Sequence, residues 1–171
     1  MLKNLYLMSG TDAFTKGGLD NVALTENAVC LEQSGGRYVL YGCFTSPEIR
    51  FPAFRQLTVS WNAETPNGTV VEAQARVLVD GEWTGWLTLG KWSPYIRRES
   101  LHQEAAKPAY VSGDTIHVPA GRASLAQLRI YLYTNDEQLT PLVRLVAARV
   151  RPLDWHWETP EPYSPLLPLP P

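Results

Sequence analysis

The sequence contains few of the residues that build disulfide frameworks and metal centres. Its 171 residues include two cysteines, Cys30 and Cys43, and three histidines. Two cysteines do not make a disulfide framework, and we interpret them as small buried hydrophobic residues on neighbouring strands. Cys-x-x-Cys, His-x-x-x-His and calcium-loop patterns are lacking as well. The sequence therefore predicts no bound metal and no cofactor.

An excess of charge and a long apolar run are also lacking. Fifteen Lys and Arg residues against seventeen Asp and Glu residues give a formal net charge of -2. A protein that neutralises phosphates normally has a basic excess, so we expect no nucleic-acid partner. No run of about 18 apolar residues could cross a membrane, and the N-terminal apolar stretch is too short for a signal peptide. We therefore expect no membrane partner and, by default, a cytoplasmic location.

A short-range catalytic motif is the next feature that the sequence lacks. Nucleophilic catalysis requires a thiol or hydroxyl beside an oriented base. None of His102, His117 and His156 stands in a motif with a cysteine or serine, and burial in a strand blunts a thiol. We therefore predict no catalytic residue in this chain, the alternative being a Cys/His pair assembled in space.

What the chain does contain favours β-structure. Fourteen prolines and twelve glycines interrupt most windows, and no apolar pattern of helical period continues over three turns. Short apolar or alternating runs lie at 22–31, 37–44, 57–61, 70–79, 82–92, 114–118, 126–134 and 142–150. Their turn-bounded spacing predicts an all-β fold, an antiparallel β-sandwich of jelly-roll type with about nine strands. We expect the long loop 93–113 to cover a sheet edge or face.

The clearest hairpin contains a conflict of register. Asp80-Gly81 favours a two-residue type I′ turn, but strict pairing beyond it would turn Leu87 and Leu89 towards water. One extra residue in the return strand moves every later side chain of that strand to the opposite face, and Gly85 is the natural position for it. We therefore predict a bulge at Gly85, with Leu87 opposite Ala75 and Leu89 opposite Ala73.

The predicted bulge leaves a large aromatic side chain on the outer face. Trp86 would lie beside Arg76, within reach of a cation–π contact. Trp92 follows an even number of residues later, so it would point to the same face of the strand. Trp86, Trp92 and Arg76 are therefore the candidate binding residues. Such a patch is a platform for a sugar, a docking surface for another domain, or a small cluster under the long loop, and the sequence does not decide among the three.

The last part of the chain has a different composition. Seven prolines fall within residues 151–171, which favours extended, polyproline-like chain and removes hydrogen-bond donors. We predict a β-sandwich module at 1–150 and a Pro-rich linker at 151–171 that leads to a further domain.

Four segments carry information beyond their composition. They are Phe51-Pro52-Ala53-Phe54-Arg55, Ser60-Trp61-Asn62-Ala63-Glu64-Thr65-Pro66, Gly81-Glu82-Trp83-Thr84-Gly85-Trp86 and Gly90-Lys91-Trp92-Ser93. In order and spacing they resemble the N-terminal region of bacterial C39-like family peptidases. The resemblance implies a bacterial β-rich region that precedes a papain-like cysteine peptidase domain. That second domain would hold the catalytic Cys and His, and it is the implied partner.

Two functions follow as hypotheses. The first is a non-catalytic accessory domain of a C39-like cysteine peptidase, which positions or shields the catalytic domain or binds its peptide substrate. The alternative is a free-standing carbohydrate-binding module that stacks a glycan on its exposed tryptophans.

Overall fold

The computed structural model describes residues 4–97, 102–106 and 108–154, the second of these ranges for its backbone alone, and most of them lie in strands. In this part of the chain the elements are β1 (Leu5–Ser9), α1 (Thr11–Phe14), β2 (Gly18–Asp20), β3 (Val22–Thr25), β4 (Ala28–Leu31), β5 (Gln33–Ser34), β6 (Arg37–Tyr38), β7 (Tyr41–Thr45), β8 (Ile49–Glu64), β9 (Thr69–Val79), β10 (Glu82–Trp83), β11 (Leu87–Trp92), β12 (His102–Ala106), β13 (Ala109–Ser112), β14 (Thr115–His117), β15 (Ala123–Thr134) and β16 (Leu142–Pro152). The predicted all-β antiparallel fold is confirmed.

The strands number sixteen in the described residues, against a predicted number of about nine. Part of the difference arises because turns and bulges divide the predicted runs, and the strands β1, β2, β5, β12 and β13 lie outside those runs. The run 22–31 becomes β3 and β4, which join through a turn at Asn27 with φ of 62°. The N-terminal strand β1, which pairs with β16, and the short helix α1 were not predicted.

The first of two layers is organised around β15. One side of β15 pairs with β9 along its whole length, and its other side pairs with β7 and with the start of β8. β9 in turn pairs with β10 and β11, while β7 pairs with β2.

The second layer is organised around the later part of β8. This part pairs with β16 on one side and with β14 on the other. The sheet continues from β14 to β13 and β12, and from β16 to β1 and β4.

One long strand therefore belongs to both layers. Ile49 and Phe54 of β8 pair with β15, whereas residues from Phe54 to Glu64 pair with β16. β11 also comes close to β13, so that the antiparallel sheet is nearly closed around one core.

The core follows from strand periodicity, because alternate side chains of a strand face the same side. The inward residues of β9 and β15 are almost completely buried, as the alternation predicts; they are Val71, Ala73, Ala75, Val77, Val79, Ala126, Leu128, Ile130 and Leu132. Phe54 and Leu57 of β8 belong to the same cluster. The described residues contain no helix long and apolar enough to cross a bilayer.

The segment 93–113 was predicted as a loop, and this prediction is wrong for its second half. β12 and β13 form a hairpin there, and β13 pairs with β14. The segment thus extends the second layer instead of only covering it. The alternating apolar pattern of β13 consists of two residues, Ala109 and Val111. A pattern this short does not indicate a strand by itself.

The end of the described chain leaves from this second layer. β16 continues to Pro152, and the Leu153 N–H donates to the carbonyl of Ala53 at 2.9 Å. Residues 155–171, most of the predicted linker and with it His156, lie outside the described residues.

Candidate functional site

The hairpin of β9 and β10 turns Trp86 outward. Asp80 and Gly81 have φ of 48° and 93°, as a type I′ turn requires. Val79 pairs with Glu82 at the turn, yet Leu87 pairs with Ala75 further along. The return strand has therefore gained one residue between these pairs, and the predicted bulge around Gly85 is confirmed.

Arg76 lies beside the outward tryptophan, as predicted. Its guanidinium carbon is 4.8 Å from the ring centroid of Trp86 and 4.7 Å from that of Trp83. Its Nε and Nη2 donate to Gln127 Oε1 at 3.0 and 2.7 Å. Gln127 is the residue directly opposite Arg76 on β15, so the pairing of the two strands fixes the arginine.

A second arginine repeats this arrangement one step along the sheet. The guanidinium carbon of Arg129 is 4.2 Å from the centroid of Trp86 and 5.0 Å from that of Tyr131. Arg129 Nε donates to Gln74 Oε1 at 2.7 Å, and these residues are again directly paired.

The result is one row of alternating rings and guanidiniums, which we call the arginine–aromatic cluster. Its members are Trp83, Arg76, Trp86, Arg129 and Tyr131. All five are half-buried, because each covers its neighbour, and they lie on the outer face of the first layer.

A buried acid borders the cluster. The side chain of Glu72 is 9% exposed and accepts hydrogen bonds from Gln74 Nε2 at 2.6 Å and Thr88 Oγ1 at 3.2 Å. Lys91 Nζ lies 3.5 Å from its other oxygen. Burial, and next the nearby Glu72 carboxylate, raise the pKa of Tyr133 to about 12.

Trp92 does not lie on this face, which corrects the predicted grouping of Trp86, Trp92 and Arg76. A second irregularity falls between Thr88 and Gly90, so that Gly90 pairs with Ala73 and Trp92 pairs with Val71. Leu89, predicted opposite Ala73, is the extra residue and is buried. This extra residue reverses the face to which the following side chains point, so Trp92 turns to the inner side of the sheet.

On the inner side, Trp92 and Trp61 line a cavity of about 290 Å³. Val59, Ser60 and Asp114 complete its lining. Both rings also pack against the hydrophobic core.

The described residues do not bring a thiol and an imidazole together. Cys30 on β4 and Cys43 on β7 are both free and buried, and burial raises the pKa of each thiol. The ring of His117 instead stacks on Tyr110, with centroids 5.0 Å apart, and its Nδ1 lies 3.4 Å from Gln56 Nε2. The side chain of His102 lies outside the described residues.

Metal-ligating side chains are likewise dispersed. No group of three or more His, Cys, Asp or Glu that could hold a metal ion occurs in the part of the chain that the structure describes. The arrangement on the outer face is suited to recognition, because it offers oriented donors and ring surfaces rather than a nucleophile.

Sequence reasoning found Trp86 and Arg76 but missed Trp83, Arg129 and Tyr131. A signal existed: Gln127, Arg129, Tyr131 and Tyr133 occupy the positions of β15 that alternate with its predicted inward residues. Placing them beside Trp86 required the pairing of β15 with β9, which no local pattern reveals.

Comparison with protein-family models matches this chain to a known family. The model described as the Peptidase C39 N-terminal domain matches residues 8–150. The matched region begins in β1, ends in β16 and contains the whole arginine–aromatic cluster. Comparison with the curated proteins finds no match.

Proposed function

The chain belongs to the Peptidase C39 N-terminal domain family, and from this premise we propose that it is a non-catalytic domain that positions the catalytic domain of a C39-like peptidase. The observation that carries the proposal is the arginine–aromatic cluster on the outer face. Tryptophan, tyrosine and arginine are the residues that most often dominate the energy of protein interfaces. Five of them lie here in one row, four on the adjacent strands β10, β9 and β15 and Trp86 in the connection between β10 and β11.

The cluster is also preorganised for docking. Arg76 and Arg129 are each held by a glutamine of the neighbouring strand, and rings cover both guanidiniums. Because these side chains are already ordered, less conformational entropy is lost when a partner binds.

The carbohydrate-binding alternative is less well supported. It uses Trp86 and Trp92 together, whereas Trp92 pairs with Val71 and turns to the inner side. Two guanidiniums already lie over the ring of Trp86, and a stacked sugar would have to displace one of them.

Binding to the catalytic domain tests the proposal. The 171-residue chain is titrated calorimetrically against a separately expressed C39 peptidase domain encoded by the same gene. We expect Trp86→Ala and Arg129→Gln each to weaken binding at least about tenfold, as for interface residues that contribute about 1.4 kcal/mol or more. Leu7→Ala is the matched control, because Leu7 is exposed on β1 in the other layer.

Three results would contradict the proposal. They are a gene that encodes no peptidase domain, equal affinities for all variants, and peptide hydrolysis by the 171-residue chain alone. Quenching of tryptophan fluorescence by a glycan, abolished in Trp86→Ala, would instead support the carbohydrate-binding module.

A further inference from the structure

The charged side chains on the outer face of the first layer lie in rows that cross the strands. Residues paired across antiparallel strands point to the same face of the sheet, so the register gives the order within each row. The first row contains acids as well as a base; its members, in order, are Asp20, Cys43, Tyr131, Glu72 and Lys91. Lys91 Nζ lies 3.5 Å from the Glu72 carboxylate. In this row, therefore, a positive charge already faces the acid that borders the arginine–aromatic cluster.

The next two rows contain positive charge alone. The second row contains Thr45, Arg129 and Gln74, and the third contains Gln127 and Arg76. Within the described residues, the hydrogen bonds of both guanidiniums go to glutamine amides and not to carboxylates. The middle of this face therefore holds two guanidinium charges that no carboxylate pairs with in the part of the chain that the structure describes.

Arg129 is the arginine whose terminal nitrogens are not used. A guanidinium has five N–H donors, and Nε of Arg129 donates to Gln74 Oε1 at 2.7 Å. No hydrogen bond within the described residues involves its Nη1 or Nη2. Arg76 differs, because its Nε and Nη2 both donate to Gln127. The two terminal nitrogens of Arg129 thus form the fork that binds a carboxylate through two parallel hydrogen bonds.

We propose that the partner surface presents an Asp or Glu carboxylate, which Arg129 binds through Nη1 and Nη2. The inference rests on the proposed docking of a peptidase domain and adds the chemistry by which that domain is recognised. Charge complementarity selects an acidic partner, because an apolar or basic surface would cover the guanidiniums without pairing them, which costs free energy. The rings of Trp86 and Tyr131, with centroids 4.2 and 5.0 Å from the guanidinium carbon, would shield the pair from water and thereby strengthen it.

A charge swap between the two domains tests the inference. Exposed Asp and Glu residues of the separately expressed C39 peptidase domain are changed one at a time to Arg, and each variant is titrated calorimetrically against the original chain and against Arg129→Glu. We expect Arg129→Glu to weaken binding of the unchanged peptidase domain at least about tenfold, which is about 1.4 kcal/mol. One acid-to-Arg variant should regain most of this loss with Arg129→Glu while binding the original chain poorly.

Two further variants separate the fork from charge in general. Arg129→Lys keeps the positive charge but lacks the planar fork, so we expect it to weaken binding at least about threefold. Arg149→Glu is the matched control, because Arg149 is an exposed strand arginine that pairs with Leu5 in the second layer. It should keep the affinity of the original chain, and equal losses in Arg149→Glu and Arg129→Glu would show nonspecific attraction and overturn the inference.

The charge swap also distinguishes this inference from the docking proposal. If Trp86→Ala weakens binding but Arg129→Glu does not, or if no acid-to-Arg variant restores it, the docking proposal stands and the carboxylate is refuted. Absence of any binding between the two domains would overturn both.

Discussion

At the scale of single residues, Trp86 holds the centre of the outer face of the first layer. Guanidiniums of two different strands lie over its ring, and each such contact contributes about 0.5–1 kcal/mol at an exposed site. The ring therefore links the segment that leads into β11 to β9 and β15 by side-chain contacts, in addition to the backbone hydrogen bonds between these strands.

The energy of this contact is measurable in a double-mutant cycle. We expect Trp86→Ala to lower the free energy of unfolding by about 1–2 kcal/mol, and its coupling to Arg129→Gln to be about 0.5–1 kcal/mol. Urea denaturation of the two single variants and the double variant gives both values. A loss of about 3–5 kcal/mol, typical of a core aromatic, would contradict the outward position of Trp86.

Tyr133 gives a prediction for alkaline pH. Burial, followed by the Glu72 carboxylate, raises its pKa from 10.0 to about 12. The folded state therefore keeps a proton that the unfolded state loses, so this contribution to stability is complete below pH 10 and is lost as the pH rises towards 12. Absorbance titration at alkaline pH should show one tyrosine that ionises late.

The variant Tyr133→Phe provides the control for this titration. It should abolish the late-ionising signal and reduce the decline of stability between pH 10 and pH 12. The buried thiols, whose pKa values are also raised above 9.0, remain in that variant. A late-ionising tyrosine that persists in Tyr133→Phe would contradict the assignment.

At the scale of elements, the return strand shows which features of the site the sequence contains. The bulge at Gly85 was predictable because, without it, Leu87 would face water. The second bulge at Leu89 was not, since the sequence from Leu87 to Trp92 alternates acceptably without it. A register shift is visible in a sequence only when its absence would produce a conflict between burial and polarity.

The same limit applies to β13 and to Arg129. The strand β13 is too short to show a pattern, and it is defined by its pairing with β14. Arg129 reaches Trp86 because β15 pairs with β9, which lies more than forty residues away along the chain. Local preference predicted most of the strands, whereas the pairing of distant strands determined which side chains meet.

Deletion of Gly85 tests the first bulge and the register that it sets for β11. Without this residue, the pairing set by Asp80-Gly81 would continue and turn Leu87 and Leu89 outward. We expect the deletion to destabilise the fold by about 3–6 kcal/mol, as the loss of two buried leucines implies, measured by urea denaturation. Gly85→Ala is the control, because a Cβ at this position meets nothing within 4 Å and the variant should stay within about 1 kcal/mol of the original chain. A deletion as stable as Gly85→Ala would contradict the bulge.

At the scale of the whole molecule, composition and the spacing of the strand-like runs predicted the fold class. How nearly the sheet closes depends on which distant strands pair. Proline, glycine and short alternating runs indicated antiparallel sheets, and the structure confirms them. No pattern within the sixteen residues of β8 indicated that one strand would pair in both layers. Its register changes partner at Phe54, a residue that pairs with Ala123 and also with Pro152.

Amide hydrogen exchange tests how closely the two layers are coupled. Opening of either layer must break backbone bonds to β8, so we expect the slowest amides of β15 and β16 to exchange with the same free energy, that of global unfolding. Exchange of β16 at a clearly lower free energy than β15 would show that the layers open separately.

The double membership of β8 also limits how variants of this protein can be interpreted. A substitution that weakens the packing anywhere along this strand lowers the stability of both layers in one cooperative step. Reduced binding by such a variant with unchanged intrinsic affinity would then report on the fraction of folded molecules, and each apparent association constant has to be divided by that fraction before it describes a contact.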